Sequence, residues 1–206
     1  PATSGVDGNI AWSLDSKGIL TISKAATETE NDGSMNNYMS ANWRSAPWLK
    51  GGNAAKIVNV VIEERVTSLG RSAFWKCENM QTIQLPTSLT SIGGNAFQKC
   101  TSLSSISIPD SVTNLGNQAF IDCTELKSVR FGKGLAGMEG GAPSIFFSKC
   151  SKLEKFVFPK EIKAYPTLWG SGHSKAVLIC YTGTEEEWNK VSFVDADKNA
   201  LKDAFM

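Results

Sequence analysis

Apolar and polar residues alternate along this chain in short bursts that return at a fixed interval. "AFWKCENMQTIQLP" (Ala73 to Pro86) is followed by "AFQKCTSLSSISIP" (Ala96 to Pro109) and "AFIDCTELKSVRFG" (Ala119 to Gly132), with Phe74, Phe97 and Phe120 marking one constant spacing. "FFSKCSKLEKFVFP" (Phe146 to Pro159) follows at a longer interval, so four residues have entered the connection that holds Gly137, Gly140, Gly141 and Pro143. Each burst closes on Leu-x-x-Ile-x-Leu or a variant of it, the alternation of a short half-buried strand. Proline follows three of the four, at Pro86, Pro109 and Pro159. With no N–H to donate, it belongs where a ladder stops.

The period reaches further than the four strong copies. Ile57, Val60 and Ile62 lie one such spacing before Met80, Ile83 and Leu85, and Ala176, Ile179 and Tyr181 lie one after Leu153, Phe156 and Phe158. Six strands are therefore predicted, at about residues 57–62, 80–85, 103–108, 126–131, 153–158 and 176–181. Between them a second apolar pair (Leu89 with Ile92, Val112 with Leu115) turns the chain inward and Ala-Phe-x-x-Cys brings it back. One such unit cannot bury its apolar face alone, and stacking units buries it against the next copy, which predicts a solenoid of parallel strands. The period falls in the leucine-rich-repeat range of roughly 20 to 29 residues, without the usual asparagine ladder.

The flanks read as caps. Ile10, Trp12 and Leu14 alternate with polar residues, Asp15 to Gly18 supply a turn, and Leu20 with Ile22 alternate again. That is a β-hairpin with one buried face, and with Trp43 and Trp48 behind it the hairpin covers the first rung, whose open edge would otherwise aggregate. At the other end Thr184 with Glu187 fits a capping box, with Trp188 and Val191 on one side of a short helix. A second helix is expected from Asp195 or Asp197, with Leu201 and Phe205 on one face. Asp195-x-Asp197 lacks the glycine and glutamate of a calcium loop. Three parts are expected: a hairpin cap over residues 1–55, the solenoid over 56–182 and a helical cap over 183–206.

Written out, the unit I-x-x-A-F-x-x-C-x-x-L-x-x-I-x-L-P resembles the repeat of the BspA-like, treponemal-type leucine-rich-repeat surface proteins of bacteria. "GNIAWSLDSKGILTIS" (Gly8 to Ser23) and "APW" (Ala46 to Trp48) are similar to that family's lead-in, and "YTGTEEEWNKV" (Tyr181 to Val191) to its C-terminal exit. The resemblance implies a leucine-rich-repeat solenoid of the α/β right-handed superhelix type, with a parallel sheet of about six short strands. It also implies secretion, display at the cell surface and binding of host matrix or neighbouring-cell proteins, and it does not imply an enzyme.

Composition narrows the partners. The 206 residues are 41% hydrophobic and carry 21 Lys plus Arg against 20 Asp plus Glu, a net charge of +1. Such a balance offers no broad field for nucleic acid or anionic lipid, and no apolar run is long enough to span a membrane. The chain starts at Pro1 with neither a basic nor an apolar leader, which is read as a trimmed start from which an export signal has been removed.

Five cysteines and one histidine are the candidates for chemistry. Cys77, Cys100, Cys123 and Cys150 occupy one position in four successive rungs. Parallel strands lie about 4.8 Å apart, so four such thiols form a column roughly 14 Å long. Zinc needs its sulfurs converging at about 2.3 Å, which a column cannot supply. Adjacent rungs fall inside the Cα window of about 4.4 to 6.8 Å for a disulfide, but parallel Cβ vectors hold the Cβ atoms wider than the ~3.8 Å that a bridge prefers. Free buried thiols acting as small hydrophobes are the expectation. A cysteine hydrolase would need His173, which falls one repeat spacing after Cys150, on the position that cysteine holds elsewhere. "GKGLAGMEGG" (Gly132 to Gly141) lacks the Gly-Lys-Ser/Thr ending of a phosphate loop. No catalytic residue, metal or cofactor is expected.

A partner would meet the side chains between the buried ones, which point to the open face of the stack. Asn59 and Val61, Leu178 and Cys180 stand at its ends, and the candidate binding residues between them are Thr82, Gln84, Ser105, Ser107, Ser128, Arg130, Lys155 and Val157. Arg130 is the one anchor of the type that dominates interface energies. A plain solvated sheet fits the same pattern, as does a structural spacer within a larger surface protein. The insertion at Met138 to Pro143 is a further candidate loop. Trp12, Trp43 and Trp48 could alternatively form a carbohydrate-stacking platform, though core packing is the commoner use of aromatics in a domain of this size.

Overall fold

Apolar alternation at a constant period folds here as short strands laid side by side in parallel, in a computed structural model that describes residues 3–26, 30–39, 45–137, 145–162, 164–165 and 177–193. The chain opens with β1 (Thr3–Asp7), β2 (Ile10–Leu14) and β3 (Ile19–Lys24). Successive repeats each contribute a front strand and a short back strand: β4 (Asn59–Ile62) with β5 (Ser68–Leu69), β6 (Thr82–Gln84) with β7 (Ser91–Ile92), β8 (Ser105–Ser107) with β9 (Asn114–Leu115). Then come β10 (Ser128–Arg130), β11 (Lys155–Phe158), β12 (Ala164–Tyr165), β13 (Leu178–Tyr181), the single helical turn α1 (Glu185–Trp188) and β14 (Ser192–Phe193).

Register follows the repeat. Asn59 lies opposite Thr82, Ser105 opposite Ser128, Ser128 opposite Lys155 and Lys155 opposite Leu178, so neighbours in space are one repeat apart in sequence. The back strands do the same, with Ser68, Ser91 and Asn114 in line. All six predicted front strands are present, and the alternation puts Val60, Ile62, Ile106, Val129, Phe156 and Ile179 in the core.

What returns the chain from back to front is turn, not helix. Residues 71–76, 94–99 and 117–122 are turns, and Ser72, Asn95, Gln118, Lys76, Lys99, Asp122 and Lys149 have positive φ between 56° and 62°. Regular helix among the described residues is limited to α1 and two stretches of 3-10 helix at Pro47–Lys56 and Lys133–Gly137. The superhelix expected with an α/β character is thus nearly all strand and turn.

Each repeated residue forms its own column through the stack. Phe74, Phe97, Phe120 and Phe147 stack with ring centroids 5.5, 5.1 and 5.1 Å apart and planes within 11° of parallel. Trp48 closes this column at 6.2 Å from Phe74, its indole N–H donating to Ala73 O at 2.8 Å. Threonine makes a ladder where asparagine is missing: Thr67 donates to Asp32 O, Thr90 to Thr67 O and Thr113 to Thr90 O. Gly70, Gly93 and Gly116 mark places where one rung's backbone touches the next, since a Cβ on Gly93 would stand 2.5 Å from Arg71 N and one on Gly116 2.2 Å from Gly94 N.

The ends extend the expectations. The hairpin of β2 and β3 is present, but β1 adds a third antiparallel strand, and β3 itself pairs in parallel with β4. Ser34 bridges to Ser68 in parallel and Tyr38 N donates to Arg71 O, so residues 34–38 run beside the first back strand. The capping box is formed, Glu187 N donating to Thr184 Oγ1 at 3.2 Å and Thr184 N to Glu187 Oε2 at 2.8 Å. After α1 the chain makes β14, which pairs with β12, a strand pair that sequence alone did not predict. The helix expected from Asp195 or Asp197, the insertion at 138–143, Trp43 and His173 all lie outside the described residues.

One departure bears on the surface. The front strands are not one ladder: β4 and β6 hydrogen-bond with the N-terminal strands, β8 with β10, β11 and β13, and β6 and β8 are not paired. Ile83 and Leu85, beside this break, are only partly buried where their counterparts Ile106 and Ile108 are core.

Candidate binding surface

Strand pleating puts every second side chain of the front strands on one exterior face. One row reads Ile19, Asn59 and Thr82, then across the break Ser105, Ser128, Lys155 and Leu178. The other reads Thr21, Val61 and Gln84, then Ser107, Arg130, Val157 and Cys180. Of the eight predicted residues, Thr82, Gln84, Ser105, Ser107 and Arg130 are exposed, while Ser128, Lys155 and Val157 are half-buried by their neighbours.

The break sorts them. Thr82 and Gln84 belong to the N-terminal sheet, where Thr82 Oγ1 donates to Asn59 Oδ1 at 2.7 Å. The other six share the C-terminal sheet, in continuous register. Ile19 and Thr21 join the rows because β3 pairs with β4, an assignment that the sequence hid because the offset from Ile19 to Asn59 is not a multiple of the repeat. The face is neutral and small in its middle, and becomes cationic and apolar toward β13.

The thiols sit on the opposite side of the strands, inside. All five cysteines are free, and Cys77, Cys100, Cys123 and Cys150 are buried. Each thiol after the first donates to the carbonyl of the phenylalanine one rung back: Cys100 to Phe74 O at 3.3 Å, Cys123 to Phe97 O and Cys150 to Phe120 O at 3.1 Å. Burial pushes all four pKa values up, that of Cys150 to about 12, because a thiolate would lose its solvation there. A group so held is not a nucleophile at neutral pH. The column is packing, as its spacing predicted.

Of the tryptophans at the N-terminal end, Trp48 is interior and Trp12 is half-buried. Trp48 is fully buried, with Tyr38 edge-on at 5.4 Å and Trp12 at 6.4 Å, and the Tyr38 hydroxyl donates to Asp7 Oδ2 at 2.6 Å. Trp48 therefore has no free ring face to offer a sugar. Trp75, half-buried in a return turn, is covered by the Lys76 ammonium 4.5 Å from its ring centre. Among the described residues no helix is long and apolar enough to cross a membrane.

The family model described as the BspA type leucine rich repeat region matches residues 52–168 in six copies. No curated protein matches the chain in sequence. Among solved structures, a leucine-rich repeat protein from Eubacterium ventriosum is similar with a TM-score of 0.56 at 24% identity, over 81% of this chain and 46% of that one. The leucine rich repeat protein of T. pallidum gives 0.55 at 21% identity, over 90% of this chain and 83% of its own. The pneumococcal vaccine antigen PcpA gives 0.59 at 19%, over 94% of this chain and 44% of its own. The likeness to all three is one of fold, and the chain spans less than half the length of the first and the third.

Proposed function

Because the chain belongs to the BspA-type leucine-rich-repeat family, we propose that it is a non-enzymatic recognition module, exported and displayed at the bacterial surface, that binds a protein of the host matrix or of a neighbouring cell through its front strands. The carrying observation is the pair of registered outward rows, above all the run Ser105, Ser128, Lys155 and Ser107, Arg130, Val157. Stacked columns of Phe, Cys, Thr and Gly hold these rows rigid from behind, so a ligand need not pay to order them. The strands β1 to β3 pair onto the first front strand and leave the outward rows uncovered among the described residues.

An array of matrix and cell-surface proteins, probed with the chain and with a Ser107→Arg, Ser128→Arg double variant, tests the reading. A captured protein should lose at least about tenfold in affinity to the variant, since added bulk at the centre of an interface removes well-packed contact, while circular dichroism stays unchanged. Capture that is indifferent to the substitutions would place binding elsewhere, and no capture at all would favour the spacer reading. Of the three tryptophans of the carbohydrate alternative, Trp48 is withdrawn from solvent by burial and Trp12 is half-buried beside it. No feature of the described residues favours that alternative.

A further inference from the structure

We propose that the front face is built for an acidic partner: a protein segment whose two carboxylates seat on Arg130 and Lys155, with an apolar side chain beside them on Val157 and Leu178. The inference deepens the reading of the front strands as a binding surface and rests on it.

At three places along the stack a cation meets a carboxylate of the neighbouring rung. Lys133 meets Asp110 at 3.7 Å, Lys149 meets Asp122 at 3.6 Å and Lys152 meets Glu125 at 2.7 Å, each joining a cation to a carboxylate one rung earlier. Among the described residues the front rows hold no such pair. Arg130 lies opposite Ser107 and Val157, and Lys155 opposite Ser128 and Leu178, which makes the two cations diagonal neighbours on adjacent strands of one face. None of the outward residues Ile19, Thr21, Asn59, Val61, Thr82, Gln84, Ser105, Ser107, Ser128, Val157, Leu178 or Cys180 is acidic. Glu154, just ahead of β11, makes no ion pair with either cation among the described residues.

Like charges on neighbouring strands repel, so the arrangement costs a little stability in the free chain. The anion that would relieve it is absent from the face and must come from outside. Access is open, since Ser105, Ser107 and Ser128 are small. The apolar area at Val157 and Leu178 distinguishes this pair from the lysines at large, because it rewards a carboxylate that travels with an aliphatic or aromatic side chain. A protein segment supplies both together. An extended polyanion is the poorer match, because Asp110, Asp122 and Glu125 edge the same rungs and the net charge is only +1.

Selection of phage-displayed random peptides on the intact chain tests this, followed by fluorescence anisotropy of the enriched peptides against wild type, Arg130→Gln, Lys155→Gln and, as an off-face control, Lys152→Gln. The expected peptides carry paired Asp or Glu next to an apolar residue, weaken with salt, and lose about tenfold in affinity to each face substitution and little to the control, as a directly paired interface charge does. Enriched peptides without acidic residues, whose binding still shifts the backbone amide signals of Ser105 to Val157, would overturn the acidic partner and leave the binding face standing. Peptides indifferent to the whole face, or no enrichment, would overturn both. A heparin oligosaccharide or phosphatidylserine vesicles held more tightly than the peptides, and lost in the same variants, would overturn a protein as the ligand.

Discussion

Cys77, Cys100, Cys123 and Cys150 have one environment repeated, and the repetition has a consequence in alkali. Their folded pKa values lie above the unfolded value of about 8.5. A raised folded value means that the stability associated with the neutral thiol is intact below pH ~8.5 and is lost as pH rises toward the folded pKa, because only the unfolded chain can ionise in that interval. Each buried thiol then costs up to about 1.4 kcal/mol per pH unit above that point. The melting temperature should fall between pH 8.5 and 10, and a Cys100→Ala, Cys123→Ala variant should fall less steeply, read by thermal scans across that range. Iodoacetamide under native conditions should label Cys180, the one half-exposed cysteine, ahead of the other four, as peptide mass mapping would show. Prompt labelling of Cys77 would contradict the burial. The thiol column could be read from the sequence because a period with a constant residue at one phase implies one environment. The bond from each thiol to a phenylalanine carbonyl could not, since it depends on where the preceding rung's backbone stands.

The elements of this fold are turns as much as strands, and their constraint is backbone against backbone. Gly70, Gly93 and Gly116 recur with the repeat and were legible in principle, yet a glycine in a turn is ordinarily read as conformational freedom. Gly93 is needed for contact: a methyl group there would collide with Arg71 N and Gly70 C at 2.5 and 2.7 Å, rigid atoms that can move only if the rungs separate. Gly93→Ala should therefore destabilise by about 2 kcal/mol or more, the scale of overpacking, measured by urea unfolding. A neutral result would show that the rungs can slide. The capping box at Thr184 and Glu187 was fully legible, being a local pattern that closes within one turn. β1 and β14 were not, because each is short and lacks the repeat's phase, and the pairing of β12 with β14 was not, because β12, although it follows β11 at the spacing of the other back strands, has a partner that only the folded chain sets.

At the scale of the whole molecule, the break between β6 and β8 divides a stack whose sequence is continuous. Lys155 N donates back to Lys127 O, and the shared register means that Ser105 and Ser107 direct their amides toward β6 in the same way, across the gap. Their amides should exchange with deuterium faster than those of Lys155 and Val157, by about tenfold or more, because local opening is easiest where ladder bonds are missing. Equal protection would mean that the two sheets behave as one. The division matters for recognition, since Arg130, Lys155 and their neighbours belong to the C-terminal sheet while Thr82 and Gln84 belong to the other.

By itself the sequence determined the stack: its period, the six front strands, which side of each strand is core, the hairpin of β2 and β3, the capping box at Thr184 and the free thiols. Those properties repeat, and a repeated pattern of apolar positions has one economical burial. Only the tertiary structure decided how far β3 carries the rows past the repeats, where the ladder is interrupted, and that Trp48 is fully lost to the core while Trp12 is half-buried against it. These depend on distances between residues tens of positions apart, and no local pattern encodes them.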